Sequence, residues 1–414
     1  MKKINLTGWI LIAMAAGALT GLIIHLKAPR EYVVNFSSYV SVITDIFLRL
    51  IKMIIAPLVF STLVTGIAKL GDIRALGRIG GKTLLWFVFA SLLSLLLGLV
   101  VMNLTRLGQH LNLPMPEANA KSGIEQSAMS FGNFVSHVFP KSIIEAMANN
   151  EILQIVVFSI FFGVGTAAIG EKGLGIIRAL DALAQVILKV TGYVMNLAPL
   201  AAYAAIASIL ALRGPALLQG YLSFLVVFYI SILALWALLM LLGSLFLGRS
   251  IFSLIIAIKE VIFLAFGTAS SEAAFPKLVI VLEEFGCPAK IVSFVLPLGY
   301  SFNLDGSMLY MTFASLFIAQ AYGIHMPLQE QVSMLLALML TSKGIAGVPR
   351  AALVVVAGTI SMYNIPQQGL LLLLGIDQIM DMARSATNVV GNSIATAVIS
   401  RLENTIKPGN RAFS

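Results

Sequence analysis

The sequence predicts an all-α integral membrane protein. Of its 414 residues, 59% are hydrophobic and only 11% are charged, whereas a soluble domain carries about a quarter charged residues. The mean hydropathy is +0.97. Uncharged runs long enough to cross a hydrocarbon core of about 30 Å recur along the chain, which predicts helical spans. They are residues 4–24, 83–105, 152–170, 190–212, 214–248, 306–328 and 351–376.

The net charge of +9 comes from basic residues grouped in short loops. Such groups mark the cytoplasmic ends of membrane spans, so they do not indicate a nucleic-acid partner. One group is Lys2 and Lys3, and a second, two spans later, consists of Lys69, Arg74, Arg78 and Lys82. Cys287 is the only cysteine and no His-x-x-x-His spacing occurs, so we expect neither a disulfide framework nor zinc chemistry.

The first half of the chain, to about residue 249, predicts ordinary spans joined by short loops. Residues 106–150 are the exception, because they are polar and contain several prolines, and we expect an exposed loop there. Arg49 and Lys52 lie three residues apart at the start of the apolar stretch 53–68. At such a position we expect long basic side chains to snorkel toward the membrane surface.

The second half contains two apolar segments interrupted by small and polar residues. Segment 251–284 contains Gly267-Thr-Ala-Ser-Ser-Glu272, and segment 329–366 contains Ser342-Lys-Gly-Ile-Ala-Gly-Val-Pro349. Each pattern predicts a helix, a non-helical tip and a second helix, which together form a re-entrant hairpin. Irregular backbone at that depth is tolerated only where protein or water covers it. We expect the second tip to gate the site, because Gly344 and Gly347 permit unusual backbone conformations.

Each predicted hairpin is followed by a segment with a polar break. Ser270 precedes the stretch Asn303-Leu-Asp-Gly-Ser307 by 33 residues, and Ser342 precedes Asp377 by 35. Paired broken segments in a repeated arrangement indicate the binding site of a secondary transporter. We therefore predict inverted repeats that converge on one site. The alternative for the Asn303 stretch is a kink stabilised by its Asn and Asp side chains.

A polar stripe crosses the last apolar segment. In a helix, Asp377, Asp381, Arg384, Asn388 and Asn392 follow one another at steps of four, three, four and four, which is a single face. A charge at the centre of a membrane helix costs roughly 2.5–3.5 kcal/mol, so this face should meet protein or a water-filled cavity. We infer a binding site. The alternative is that Asp381 and Arg384 merely neutralise each other.

Five motifs occur in a characteristic order: Arg49-Leu-Ile-Lys-Met-Ile-Ile-Ala-Pro-Leu-Val-Phe60, Ser270-Ser-Glu272, Asn303-Leu-Asp-Gly-Ser307, Ser342-Lys-Gly-Ile-Ala-Gly-Val-Pro349 and Asp377-x3-Asp381-x2-Arg384-x3-Asn388. Together they resemble the dicarboxylate/amino acid:cation symporter family, which includes the glutamate transporters. The resemblance covers essentially the whole chain. It implies eight transmembrane helices, two re-entrant hairpins, cytoplasmic termini and a homotrimer in which a transport domain moves like an elevator against a scaffold domain.

The resemblance also implies a division of the chain. Residues 1–250 would form mainly the trimerisation scaffold and the peripheral helices of the transport domain. Residues 251–404 would form the core that binds substrate and ions, and residues 405–414 a cytoplasmic tail.

A site for an acidic amino acid is implied by the same resemblance. It assigns Arg384 and Ser307 to the side-chain carboxylate, and a guanidinium fork suits a carboxylate chemically. It assigns Asp381 to the ammonium group, and Ser271 with Asn388 to the α-carboxylate. Further substrate contacts at the hairpin tips would come from Ala269, Ser270, Val348 and Ala352.

Departures from the family's pattern concern the coupling ion. Asn392 replaces an Asp that ligates sodium in sodium-driven members, and Phe87 and Ala90 replace residues with hydroxyl groups. Sodium needs oxygen ligands, so these losses weaken two sodium sites. Oxygens for a residual site remain at Gly299, Asn303, Asn388, Asn392, Asp305 and Ser91.

These losses favour the proton as the coupling ion. The position of the protonated Glu in vertebrate relatives is Met311 here, so another acid must carry the proton. We place Glu272 first, because a carboxyl group buried at a hairpin tip holds a proton more readily, and Asp305 and Asp377 behind it.

We therefore predict a symporter, not an enzyme, that imports L-glutamate or L-aspartate with protons across the cell inner membrane and needs no cofactor. A C4-dicarboxylate symporter and a sodium-coupled amino acid symporter remain alternatives. A dicarboxylate has no ammonium group for Asp381, which disfavours the first. Among other classes, a protease using Ser342 and Lys343 is disfavoured because adjacent side chains usually diverge. A gated channel would not accumulate substrate against a gradient.

Overall fold

The computed structural model describes residues 6–70, 73–110, 138–342, 351–374, 376–403 and 405. These residues form helices and no strands, as an all-α protein requires. Among them, five helices are long and apolar enough to cross a membrane, or up to six if a pair bent by 49° counts as one span. The eight spans and the re-entrant path of the hairpins stay predictions.

The first half of the chain consists mainly of long helices. Helix α2 packs against α6, α7 and α8, while α1 packs along α8. The predicted loop at 106–150 contains two short helices, α4 and α5, and its residues 111–137 lie outside the described ranges. The helices are α1 (Leu6–Lys27), α2 (Arg30–Leu70), α3 (Ile73–Thr105), α4 (Leu107–His110), α5 (Ile143–Ala148), α6 (Ile152–Ala168), α7 (Leu174–Met195), α8 (Ala198–Gly220) and α9 (Leu222–Leu247).

The run 214–248, predicted as a single span, is interrupted in the structure. Gly214 has a φ of 63°, a left-handed value that glycine adopts without a steric cost. Tyr221 then separates α8 from α9. The run is therefore the end of one helix followed by a second helix.

The second half has shorter helices with breaks between them. The segment of the first predicted hairpin consists of two helices, α10 and α11, which pack against each other. Helices α14 and α15 likewise pack together, but residues 343–350, which include the predicted gate, lie outside the described part of the chain. The helices are α10 (Ser250–Thr268), α11 (Ser271–Phe285), α12 (Ala289–Phe302), α13 (Asp305–Ala321), α14 (Leu328–Thr341), α15 (Ala351–Met362), α16 (Leu370–Leu374) and α17 (Asp377–Leu402).

The run 351–376 is not continuous helix either. Helix α15 ends at Met362, and Asn364, with a φ of 55°, turns the chain before Pro366. A 3-10 turn and the short α16 follow. The end of α15 therefore coincides with residues that favour turns.

Helix α17, which carries the polar stripe, lies in the centre of the second half. Helices α9, α10, α11, α12 and α13 all pack against it. Every residue from Met382 to Ser400 is buried. Apart from Asp381, whose side chain is partly exposed, the polar face is therefore enclosed by protein, as the cost of charges in lipid predicts.

Candidate functional site

The predicted polar break after α12 is two residues long. Asn303 and Leu304 have ψ angles of 63° and 66°, which are not helical, and α13 begins at Asp305. The break lets the N-terminal end of α13 point into the protein beside α17. Asn303 and Asp305 are fully buried there.

Asn388 of α17 binds the start of α13. Its side-chain oxygen accepts hydrogen bonds from the backbone N–H groups of Gly306 (2.9 Å) and Ser307 (3.4 Å), and its amide nitrogen donates to Ser307 Oγ (3.3 Å). Gly306 is needed for this approach, because a Cβ there would collide with the carbonyl oxygen of Arg384. The predicted ligands Asn388 and Ser307 are thus brought together, and they already bind each other.

Arg384 and Asp381 form the ion pair that was considered as the alternative to a site. Asp381 Oδ1 accepts a hydrogen bond from Arg384 Nε at 2.9 Å and lies 2.6 Å from Arg384 Nη2. Ser385 donates to the same oxygen at 3.2 Å. Yet Arg384 Nη1 is buried without a hydrogen-bond partner in the described structure. The pair therefore does not satisfy the guanidinium.

Asp381 also keeps one oxygen available. Its hydrogen bonds and ion pair with described residues all use Oδ1, and its side chain is 21% exposed. One unsatisfied donor on Arg384 and one open acceptor on Asp381 thus lie on the same face, three residues apart. A buried polar group without a partner is costly, so this arrangement favours a ligand with complementary charges.

Tyr310 is a site residue that the sequence did not suggest. The Arg384 guanidinium lies over its ring, with Cζ 4.8 Å from the centroid. The Tyr310 hydroxyl donates to Asp377 Oδ1 at 2.6 Å, so Asp377 already has a partner. Tyr310 follows Gly306 and Ser307 by four and three residues on α13, and this spacing was the signal that could have identified it.

A second polar cluster contains most of the predicted cation ligands. Asn303 Nδ2 donates to Asp305 Oδ2 at 3.2 Å and to Asn392 Oδ1 at 3.3 Å. Asn392 Oδ1 also lies against Gly299, where a Cβ would not fit, and Asp305 Oδ2 lies against Gly391 in the same way. Asn303 Oδ1 and Asn392 Nδ2 are buried with no hydrogen-bond partner among the described residues.

Several oxygens in this cluster already accept hydrogen bonds from the protein. The Gly299 carbonyl accepts the Asn303 N–H at 2.7 Å. The Phe87 ring lies beside Gly299, and Ala90 is buried on the same helix, α3. Ser91, also buried on α3, supplies a hydroxyl. The amide of Asn392 presents a donor where a carboxylate would present a second oxygen.

The tip of the first hairpin consists of Ala269 and Ser270. Ala269 adopts a left-handed conformation (φ 48°), and Ser270 Oγ caps α11 by accepting from the Ala273 N–H at 3.2 Å. The Ser271 carbonyl accepts from the Tyr300 hydroxyl at 2.8 Å. The local sequence explains the break, because serine is a favoured N-cap residue.

Glu272 follows this tip and is half-buried. Asp381 of α17 and Lys52 of α2 lie within electrostatic range of its carboxyl group. Of the other tip residues implied to bind substrate, Ala352 is buried on α15, which packs against α13. Val348 lies outside the described residues.

Comparison with known proteins shows the family to which this chain belongs. The Sodium:dicarboxylate symporter family matches residues 6–402. The chain belongs to this family. It is 40% identical to the proton/sodium-glutamate symport protein of Geobacillus stearothermophilus, with 97% of this chain and 96% of that protein covered. It is 38% identical to the C4-dicarboxylate transport protein of Rhizobium etli, with 97% and 90% covered.

Membership confirms the resemblance and makes the chain a transporter of the symporter type, not an enzyme. The relatives from Geobacillus stearothermophilus and Rhizobium etli have nearly the same identity to this chain, although their names give different substrates. Overall similarity therefore does not separate an amino acid carrier from a dicarboxylate carrier. The side chains of the site must do so.

Proposed function

We propose that this symporter imports L-glutamate or L-aspartate. The observation that carries the proposal is that a buried donor without a partner, Arg384 Nη1, lies on the same face as a partly exposed carboxylate, that of Asp381, whose bonds with described residues all use Oδ1. A guanidinium N–H binds the side-chain carboxylate of the substrate, and a carboxylate oxygen binds its ammonium group. An acidic amino acid carries both a carboxylate and an ammonium group, whereas succinate, fumarate and malate have no ammonium group.

The C4-dicarboxylate alternative is supported by relatives with that name. It requires a second carboxylate to enter beside Asp381. Like charges in a buried site disfavour each other strongly unless one is protonated. The presence of Asp381 therefore favours the amino acid over the dicarboxylate.

Proton coupling is the second part of the proposal. It is supported by Asn392, Phe87 and Ala90, which offer fewer oxygens than a sodium site needs. We assign the proton first to Glu272, which is half-buried next to the site, and then to Asp305 and Asp377. Tyr310 already binds Asp377, and Asn303 already binds Asp305, which further favours Glu272.

Assembly and mechanism complete the proposal. The protein would form a homotrimer in the inner membrane with both termini cytoplasmic, and its transport domain would move like an elevator. Cross-linking of the purified protein would report the trimer.

The deciding experiment is uptake into proteoliposomes of labelled glutamate, aspartate and succinate, under proton or sodium gradients imposed separately. We expect glutamate or aspartate to accumulate with an inward proton gradient in nominally sodium-free buffer. Accumulation only with a sodium gradient would overturn the proton assignment. Preference for succinate would overturn the substrate assignment, and equilibration without accumulation would indicate a channel.

A further inference from the structure

A cavity lies beside α2, and its described lining includes none of the residues that we assign to the Arg384 site. Its volume is about 590 Å³, within the range of about 300–1,000 Å³ typical of small-molecule sites. Helix α2 contributes one wall, and α5 together with the residues that follow it contributes the other. The lining residues are Arg49, Lys52, Met53, Ala56, Pro57, Ile144, Met147, Ala148 and Asn150.

Among the described residues that line it, the cavity has two cations and no acidic side chain. Neither Arg49 nor Lys52 makes a salt bridge within the described structure. The carboxyl group of Glu272 is within electrostatic range of Lys52, and also of Asp381. Cations on a membrane helix normally find an anionic partner or reach the membrane surface, so this pair is suited to an anion.

The position of the cations along α2 indicates the depth of the cavity. Residues 53–68, directly after Lys52, carry no charge, and at 1.5 Å per residue they span about 24 Å. Lys69 stands at the far end. The two cations thus mark one edge of the uncharged part of α2, and we infer that they reach the level of the lipid head groups.

Apolar side chains surround this edge. Ile144 of α5 is 72% exposed, Met53 of α2 is 55% exposed, and Phe139 is also exposed. Because they are accessible, Met53 and Ile144 can contact an acyl chain at the same time as the cations contact its head group.

Asn150 adds a polar group to the cavity. Its φ is 54°, a left-handed value that is uncommon outside glycine, and its Oδ1 is buried without a hydrogen-bond partner among the described residues. Asn150 therefore contributes an amide, which can donate as well as accept hydrogen bonds, to the cavity wall.

We propose that this cavity binds the phosphate head group of an anionic phospholipid. Arg49 provides a planar fork that matches phosphate oxygens, and Lys52 provides a point charge. The apolar walls hold the first carbons of the acyl chains. Snorkelling of Arg49 and Lys52 into the head-group region is part of this arrangement, but the cavity gives the lipid a defined position. The proposal does not depend on which substrate is transported.

The test is native mass spectrometry of the detergent-purified full chain, titrated separately with dioleoylphosphatidylglycerol, dioleoylphosphatidylcholine and inorganic phosphate. We expect phosphatidylglycerol to bind tighter than phosphatidylcholine, and the double variant Arg49→Gln/Lys52→Gln to bind phosphatidylglycerol about 30-fold more weakly. The matched control Lys189→Gln removes a cation from α7, outside the cavity, and should bind like the parent.

A second variant tests the cavity independently, in case the double variant does not fold. Ala148 is exposed, so Ala148→Trp keeps both cations while it fills the cavity, and we expect it to lose phosphatidylglycerol as well. Equal binding of the two phospholipids by the parent would overturn the proposal. So would parent-like binding of phosphatidylglycerol by Ala148→Trp, or binding of inorganic phosphate as tight as that of phosphatidylglycerol.

Discussion

The guanidinium carbon of Arg384 lies 4.8 Å from the centre of the Tyr310 ring. A cation over an aromatic face gains about 2 kcal/mol or more when both are desolvated. On its other side Arg384 pairs with Asp381. These two contacts hold the guanidinium in place and leave Nη1 as the donor available to a substrate.

Two variants of Tyr310 should distinguish the effect of its ring on Arg384 from the effect of its hydroxyl group on Asp377. Tyr310→Phe keeps the ring under Arg384 but leaves the buried Asp377 carboxylate without its hydrogen bond, which costs about 1–3 kcal/mol. We expect a lower thermal midpoint with glutamate affinity changed less than in Tyr310→Leu, which loses the ring as well. Titration calorimetry and thermal unfolding of both variants give the comparison. If Phe and Leu weaken glutamate equally, the ring does not position Arg384.

Arg384→Cys should abolish binding of acidic substrates. Truncating one member of a buried charged pair typically costs about 2–5 kcal/mol, and we expect the variant to accept neutral amino acids such as serine or alanine instead. Competition against labelled glutamate measures both effects. Arg401→Cys, at the exposed end of the same helix, is the control. Normal glutamate affinity in Arg384→Cys would contradict the role of carboxylate anchor.

Asp381→Ser should weaken amino acid binding and favour succinate relative to glutamate. The variant removes the carboxylate that we assign to the substrate ammonium, and it frees Arg384 Nε and Nη2 for a second carboxylate. The ratio of succinate to glutamate inhibition constants is the measurement. Asp45→Ser, exposed on α2, should leave that ratio unchanged. An unchanged ratio in Asp381→Ser would mean that Asp381 does not select the ammonium.

Glu272→Gln should remove proton-driven accumulation while substrate exchange continues. The amide keeps the size of the side chain but cannot take up and release a proton. Glu284→Gln, exposed on the same helix α11, should accumulate substrate like the parent. Uptake by Glu272→Gln with the parent's pH dependence would exclude Glu272 as the proton carrier.

An ion-pair cluster at the end of α17 should make stability depend on pH. Glu403 accepts hydrogen bonds from Arg78 at 2.8 Å and from Lys82 at 2.7 Å. The hydrogen bond from Arg78, assisted by Lys82, lowers the pKa of Glu403 below its usual range. A lowered folded-state pKa stabilises the protein above the unfolded pKa of about 4.3, and this stabilisation is lost as the pH falls through the folded-state pKa.

Glu403→Gln should therefore lower the thermal midpoint at pH 7, by an amount that corresponds to about 0.2–1 kcal/mol for each ion pair. The difference from the parent should shrink as the pH falls below about 4. Glu145→Gln, exposed on α5, serves as the control. A difference that stays constant between pH 7 and pH 3 would show that the charge of Glu403 is not responsible.

Small and polar residues in the sequence predicted where helices break more accurately than apolar runs predicted how long the helices are. Ser270 caps α11, and Asn303 with Leu304 separates α12 from α13, as the small and polar residues there indicated. The runs 214–248 and 351–376 were wrong as continuous spans. Hydrophobicity does not register a turn within an apolar run. Tyr221 separates α8 from α9 in the first run, and the left-handed Asn364 follows the end of α15 in the second.

By itself, the sequence determined that the protein is helical, lies in a membrane and carries a polar face from Asp377 to Asn392, because composition and helical periodicity are local properties. The tertiary structure decided the partner of each polar side chain. Asp377 meets Tyr310 across 67 positions, and Asn388 meets Gly306 across 82. Such contacts depend on how helices pack, and only that packing left Arg384 Nη1 buried and available for a ligand.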